Sequence, residues 1–409
     1  MRTRPLALAT AVTLALAACS TQEPPAAPGD AAATTTAVPD TAQETTAAPD
    51  DVEVTTAPAL GQVEVSTGVG DAADLARDLY AGRPVAMDPA VAEVLTDEHR
   101  RAGADQDREV TGSTGEWEGT PVAMLASGDD LTLAVEEDGG WVVVGGRWPS
   151  LGVQDTVPGG TLAVLLAGSD ARPGQRVDRS RADALQLVVS DGRGGGAVVG
   201  IARDSWVPIP GHGTDKVNAA LVRGGPDLLV RTVQEATGVP LEGYLLVGFE
   251  EFKAVVEDAG GLPFVLQAAV RVMWAELPEG AQELTGPQAL AFARERQNLP
   301  DGDFGRSRRQ GDLVLAALGL ALDGGAEELP GLMTVLSEHA DTDLDAREAV
   351  VLVGRALVTD PELVGHDVLR GPTGWSADGQ SIVRWADGAE AILEDLEDGR
   401  LDAPLEERD

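Results

Sequence analysis

Residues 161–167 form a nearly continuous apolar run, and no other segment constrains the fold of this chain as strongly. Such a run is what a buried central strand requires, covered by other layers on both faces. From Pro158 to about Leu396, strand-like runs alternate with helical ones, the pattern of an α/β layer fold. Residues 185–189 and 197–201 read as two further strands, joined by the glycine-rich turn 191–196. Residues 226–237 read as a helix stopped by Gly238, residues 244–247 as a strand, and residues 249–258 as a helix ended by Gly260 and Gly261. Two more helices are expected over 287–293 and 307–322, and nothing repeats at a fixed period.

The chain ahead of this region divides into three pieces. Arg2 and Arg4 precede an apolar stretch from Leu6 to Ala18, too short for the roughly 20 residues that span a bilayer. A basic start, a short apolar run and small residues form a secretory signal. It ends in Leu16-Ala17-Ala18-Cys19, which resembles a bacterial lipobox and implies lipidation of Cys19, the only cysteine in the chain. Residues 20–70 are rich in Thr, Ala, Pro and Asp, so a disordered tether is expected. Residues 71–155 read as a small α+β domain, with helical spacing over 72–80 and 89–101. A meander of strands follows over 121–125, 131–135 and 141–144. Trp117, Trp141 and Trp148 are expected to serve its core or sheet face. The main domain is expected over 156–396, and residues 397–409 as an acidic tail.

Charge and cysteine content narrow the chemistry. Acidic residues number 68 against 30 Lys plus Arg, a net charge of −38, which argues against nucleic acid as a partner. One cysteine excludes intrachain disulfides and cysteine-based zinc sites. The four histidines, His99, His212, His339 and His366, lie far apart, and no Gly-x-Ser-x-Gly elbow or Walker loop is present.

Two concentrations of polar residues remain. One lies at strand ends, where ligands bind in α/β sheets. Residues 161–167 empty into Gly168-Ser169-Asp170-Ala171-Arg172, Arg181-Ala182-Asp183 precedes the next strand, and Ala202-Arg203-Asp204 follows the third. Asp170 and Asp183, brought together, would suit magnesium, which takes few protein oxygens and completes its shell with phosphate and water. Turn aspartates are common, so spacing alone leaves that open. The other concentration is basic: Arg294, Arg296, Arg306, Arg308 and Arg309 in an otherwise acidic chain. Arg306 and Gln310, four apart, share one face at a helix start, where free N–H groups favour an anion. The alternative is a set of surface ion pairs. Arg294 and Arg296 point the same way only where the chain is extended, so the helix before them is expected to fray at Ala293.

These blocks, in this order, resemble the LytR-CpsA-Psr phosphotransferases of Gram-positive cell walls. The resemblance rests on Gly168 to Arg172, Arg181 to Asp183 and Ile201 to Gly211. It continues through Lys216 to Ala220, Gly224-Gly225, Arg294-Glu295-Arg296, and Asp303-Phe304-Gly305-Arg306 with Arg309-Gln310. It implies a three-layer α-β-α domain with a central mixed sheet. The implied reaction is transfer of a glycopolymer from a polyprenyl pyrophosphate carrier to a peptidoglycan sugar hydroxyl. By the same resemblance, Asp170 and Asp183 hold Mg2+, and Arg181, Arg203, Arg294 and Arg296 act on the pyrophosphate. Arg172, Lys216, Arg306, Arg309 and Gln310 bind substrate, and Asp204 is the candidate base. The arginines are expected in one cleft beside the aspartates, free of intervening carboxylates and next to an apolar pocket for the lipid tail.

Four positions depart from the family pattern. Ala182 and Ala184 stand where hydroxyl residues are usual, Ala202 where Pro is usual, and Gly311 where a second Gln is usual. A lipid anchor also replaces the usual membrane-spanning helix, which implies a protein on the outer face of the cytoplasmic membrane, facing the wall. Two rivals remain at this level: a polyprenyl pyrophosphate hydrolase, and a non-catalytic lipoprotein that binds wall polymer or carrier lipid.

Overall fold

The computed structural model describes residues 60–295 and 302–401, which fall in one compact unit. The signal segment, Cys19, the tether as far as residue 59, Arg296 and the tail from residue 402 lie outside the described residues.

The first part builds one six-stranded sheet in sequence order. Strand β1 (Val63–Val65) is followed by helices α1 (Ala73–Tyr80), α2 (Pro89–Val94) and α3 (Asp97–Ala102). Then come β2 (Arg108–Trp117), β3 (Thr120–Ser127), β4 (Asp130–Glu137), β5 (Gly140–Trp148) and β6 (Val153–Val157). Strands β2 to β5 form hairpins with two-residue turns. Glu118-Gly119 and Asp138-Gly139 have positive φ at both positions, the geometry whose twist matches paired strands. The expected meander is present. The tether boundary shifts: residues 60–70 are not loose, because β1 pairs with β2 and Val69 is fully buried.

The second part begins with β7 (Leu162–Ser169), β8 (Ala182–Ser190), β9 (Gly196–Ile201), β10 (Trp206–Ile209) and β11 (Gly213–Lys216). Helices α4 (Ala219–Gly224) and α5 (Pro226–Thr237), strand β12 (Gly243–Val247) and helix α6 (Phe249–Asp258) follow. Next are β13 (Leu262–Leu266), β14 (Val270–Val272), β15 (Ala275–Leu277) and β16 (Gly280–Leu284). Helices α7 (Gly286–Arg294) and α8 (Gly302–His339), strand β17 (Asp341–Thr342) and helix α9 (Ala346–Ala356) come next. The chain closes with β18 (Val364–Leu369), β19 (Thr373–Trp375), β20 (Ser381–Val383) and α10 (Asp387–Asp395).

The central sheet runs β17-β12-β7-β8-β9-β18 and is mixed: β7 is parallel to β12 and antiparallel to β8. Alternation along its strands assigns two faces. Leu165, Leu187 and Val199 pack with Leu229 and Val233 of α5 and Ile392 of α10. Val164 and Leu245 face the other way, toward Leu329 and Met333 of α8 and Val350 of α9. The architecture is therefore the expected α/β layering.

Packing does not stop at the expected boundary near residue 155. The core on the α8 side also contains Trp117, Met124 and Leu133 of the first sheet, and Trp117 Nε1 donates to Leu344 O at 2.9 Å. Helix α8 makes this possible. It breaks at Gly325, whose φ of 57° and ψ of −162° are open to glycine, and resumes beyond it. Its second stretch covers the edge of β2 that β1 leaves unpaired. Thr334 Oγ1 accepts from Glu116 N at 2.8 Å, and a Cβ at residue 115 would lie 2.0 Å from Pro330 O. The acidic tail also starts later than expected, since Leu401 packs on the α5-side core and Arg400 pairs with Asp191.

Candidate active site

The site starts at the β7–β8 hairpin. Asp170, one residue past β7, donates its N–H to Arg181 O at 2.8 Å and accepts Arg181 N–H on Oδ1 at 2.8 Å. Gly168 pairs with Ala184 and Ser169 with Ala182, which leaves Asp183 as the extra residue of a β-bulge. A bulge re-aims the side chain it carries. Asp170 and Asp183 thus stand at the same end of adjacent strands. The Asp183 carboxylate meets Arg203, two residues past β9, where Nη1 lies 2.6 Å from Oδ1.

Arg203 leads to the start of α8. Its Nε is 3.9 Å from Asp303 Oδ1, and the same oxygen accepts Arg306 Nη2 at 2.9 Å. Burial works against the Arg203 charge, but the bonded Asp183 and the charges of Asp303 and Asp204 outweigh it and hold the guanidinium above its ordinary pKa. The first turns of α8 come this close because β9 has glycine beneath them. A Cβ at residue 200 would lie 2.4 Å from Ser307 Oγ. Gln186 Nε2 donates to Ser307 O at 3.0 Å and fixes the same junction.

Beside this cluster, Asp204 Oδ1 is 3.0 Å from Lys216 Nζ, and its carbonyl accepts Val383 N–H at 2.9 Å. An acid and an amine therefore stand together next to the Arg203 pair.

The structure corrects several expectations. The arginines converge with carboxylates among them: Asp183 bonds Arg203, and Asp303 stands between Arg203 and Arg306. Arg309 and Gln310 turn toward α7. The Arg309 guanidinium stacks 4.8 Å over the Phe292 ring, and burial pulls its pKa down despite Glu295 and Asp312. Gln310 Nε2 donates to Ala293 O at 3.2 Å, closing the end of that helix. Arg294 is exposed and lies 4.4 Å over the Phe249 ring. Helix α7 ends at Arg294, one residue beyond the expected fraying point. Arg172 and Arg181 are exposed on the hairpin.

Asp303 is the residue that sequence reasoning missed. It lay inside the quoted block Asp303-Phe304-Gly305-Arg306, and its signal was its position three residues before Arg306 at a helix start. Its Oδ2 is buried without a hydrogen-bond partner among the described residues.

The donor set suits magnesium. Asp170 and Asp183 offer carboxylate oxygens from one strand end, and Asp303, whose Oδ2 is unbonded, is linked to Asp183 through Arg203. Among the described residues no three His, Cys, Asp or Glu side chains form a closed metal cage. A hard cation that draws its remaining oxygens from phosphate and water needs none.

The face of the central sheet toward α8 is the less closely packed one. Leu162, Leu166 and Val188 on it are only partly buried. At the opposite end of β7 from Asp170 lies a cavity of about 330 Å³, lined by Leu162, Val164, Leu344, Val351 and Leu352 with Arg347 and Arg355 at its polar side. Among the described residues no helix is long and apolar enough to cross a membrane.

Known proteins resemble the second part of the chain. The LytR_cpsA_psr family model matches residues 150–381, more than half of the chain. A polyisoprenyl-teichoic acid–peptidoglycan teichoic acid transferase TagU from Oceanobacillus iheyensis is 32% identical over 216 residues, covering 50% of this chain and 67% of that protein. A protein of the same name from Bacillus mycoides is 36% identical over 159 residues, 38% of this chain and 51% of its own length. The crystal structure of B. subtilis TagV superposes with a TM-score of 0.51 at 22% identity, covering 59% of this chain and 99% of that one, a likeness of fold.

Proposed function

Since the chain belongs to the LytR_cpsA_psr family, we propose that it transfers a cell-wall glycopolymer from a polyprenyl pyrophosphate carrier to a sugar hydroxyl of peptidoglycan. The transferase names of its relatives support the reaction class. The observation that carries the reading is the meeting of Asp183, Arg203, Asp303 and Arg306 from three separate elements, beside Asp170 and the Asp204–Lys216 pair. Such a cluster of fixed cations and acids suits phosphoryl transfer, which depends on positioning and charge stabilisation.

The acceptor oxygen would bond to the phosphorus that carries the glycopolymer, and the P–O–P bridge would break to release polyprenyl phosphate. Arg203 and Arg306 would offset the charge on the leaving phosphate, with Arg181 and Arg294 reaching from the rim. Asp204 would take the acceptor proton, and Lys216 at 3.0 Å steadies its carboxylate. Asp170 and Asp183 would hold Mg2+, which would supply further charge neutralisation on the pyrophosphate when bound. The partly buried Leu162, Leu166 and Val188 give the prenyl chain an apolar surface. Lipidation of Cys19 would keep the protein on the outer face of the cytoplasmic membrane, within reach of carrier and wall; the lipobox-like segment 16–19 supports this.

The test is a transfer assay with the full chain, a synthetic polyprenyl pyrophosphate-linked saccharide, Mg2+ and uncrosslinked peptidoglycan glycan strands. Saccharide attached to the strands through a phosphodiester is the expected product. Release of saccharide phosphate without attachment would identify a hydrolase, and binding without turnover a carrier-lipid or polymer receptor.

A further inference from the structure

The chain is poor in aromatic residues, with seven Trp, two Tyr and five Phe. Trp117 and Trp148 are spent on the core, yet Trp375 is 73% exposed. An indole left in water forgoes a large apolar burial, so its company is informative. Trp274, 60% exposed, stands next in sequence to Met273, which is more exposed still. Trp375 has polar neighbours instead: Thr373 and Asp378 are exposed, and so is Ser381, which faces it across the hairpin.

That hairpin is fastened to the active site. Strands β19 and β20 pair with Trp375 opposite Ser381. Two residues on, Val383 donates its N–H to Asp204 O at 2.9 Å and bridges to Ser205. Trp385 Nε1 donates to Ser205 Oγ at 2.9 Å, a third tie to the same loop. Two strand residues span about 7 Å, so Ser381, the cross-strand partner of Trp375, lies about that far along β20 from the Val383 contact with Asp204. The hairpin turn is braced internally: Gln380 N–H bonds Ser376 Oγ at 2.9 Å, and Gln380 Nε2 bonds Asp378 Oδ2 at 2.8 Å. Asp378 also feels the charge of Lys216.

We propose that Trp375 is the platform on which a sugar ring of the acceptor glycan stacks, aligning the next hydroxyl with Asp204 and Lys216. This rests on the transferase reading above. A pyranose offers a flat face of C–H groups to an indole and hydroxyls at its edge to carboxylates and amides. Its neutrality suits a rim carrying Asp378 and Asp204 on a chain of net charge −38, where an anionic ligand would be repelled. The polar company of Trp375 sets it apart from the apolar Met273–Trp274 tip.

The experiment measures binding of the neutral, soluble tetrasaccharide of N-acetylglucosamine to the full chain by calorimetry, alongside the transfer assay. Trp375→Ala is expected to weaken tetrasaccharide binding and raise the acceptor KM by about tenfold or more, as loss of one stacked ring does elsewhere. Trp375→Phe should recover most of the affinity, and Trp274→Ala should bind as the wild type does. Thermal unfolding of each variant checks that the fold is kept. Equal binding by Trp375→Ala and wild type, or no binding by wild type, overturns the platform. Trp375-dependent binding with no transfer leaves the platform standing and removes the transferase reading instead.

Discussion

Arg203 Nη1 and Asp183 Oδ1 are 2.6 Å apart across the ends of β8 and β9, so the most buried cation of the strand-end loops is held by the bulged acid of the neighbouring hairpin. Neither side chain can move toward a ligand without releasing the other. Asp183→Asn keeps the shape and removes the charge that aims Arg203. Transfer activity should fall by about 10²-fold or more, while the unfolding midpoint changes little. Arg203→Lys should not restore activity, because an ammonium lacks the planar fork. A Asp183→Asn variant that turns over at the wild-type rate would remove the pair from the mechanism.

Arg306 is a different case, because it is buried against Asp303. Removing an unpaired surface arginine changes stability little. With Arg306 paired inside the fold, Arg306→Ala should instead cost about 3 kcal/mol, the scale for stranding one partner of a buried pair. Urea unfolding of Arg306→Ala, Asp303→Ala and the double variant measures this. The double variant should cost less than the sum, and strict additivity would mean the two side chains do not interact.

Gly311 stands where the family usually carries glutamine, and the space is taken by His366. A Cβ there would lie 2.1 Å from His366 Nε2. Gly311→Ala should therefore destabilise by about 1–3 kcal/mol through overpacking. Adding His366→Ala should relieve the clash, so that the double variant is more stable than the two single effects predict. Thermal melts of the four proteins decide it.

Asp191 governs an acid-sensitive junction. Burial alone would raise its pKa, but the N–H groups of Arg193 and Gly195 and the Arg400 guanidinium hold it below the usual carboxylate value. A depressed folded-state pKa contributes stability above the unfolded pKa of about 3.9, and that contribution is lost as pH falls through the folded value. Wild type should lose more stability than Asp191→Asn on acidification below about pH 4. Parallel slopes for the two proteins from denaturant titrations at each pH would refute this.

Punctuation decided which elements were legible. Pro226 and Gly238 bracket one helix, and Gly248 and Gly260 the next, so α5 and α6 appear where the sequence predicts them. Strand β2 escaped notice because Arg108–Trp117 has few large apolar residues and two glycines; it is a strand because β3 and α8 cover it. Helix α8 was expected to stop near Leu322, yet beyond the break at Gly325 packing on β2 lets it resume. In the site, Asp170, Asp183 and Arg203 were legible as polar residues at strand ends. Asp303 was one acid among 68, and only the approach of α8 to β9 gives it Arg203 as a neighbour. Arg309 carries the same charge as Arg306, and the direction of one helix face separates their roles.

The break at Gly325 bears on how this protein can be recombined. One helix carries Arg306 on one side of the joint and the Thr334 contact with β2 on the other. A chimera cut near residue 155 would take the first sheet away from the half-helix that caps it and leave Leu329 and Met333 facing water. A graft of that sheet onto a relative would have to bring residues 326–339 with it, although these lie far downstream in sequence. Domain shuffling by a single crossover is thereby closed to this fold, and only paired exchanges at both places would yield a soluble hybrid.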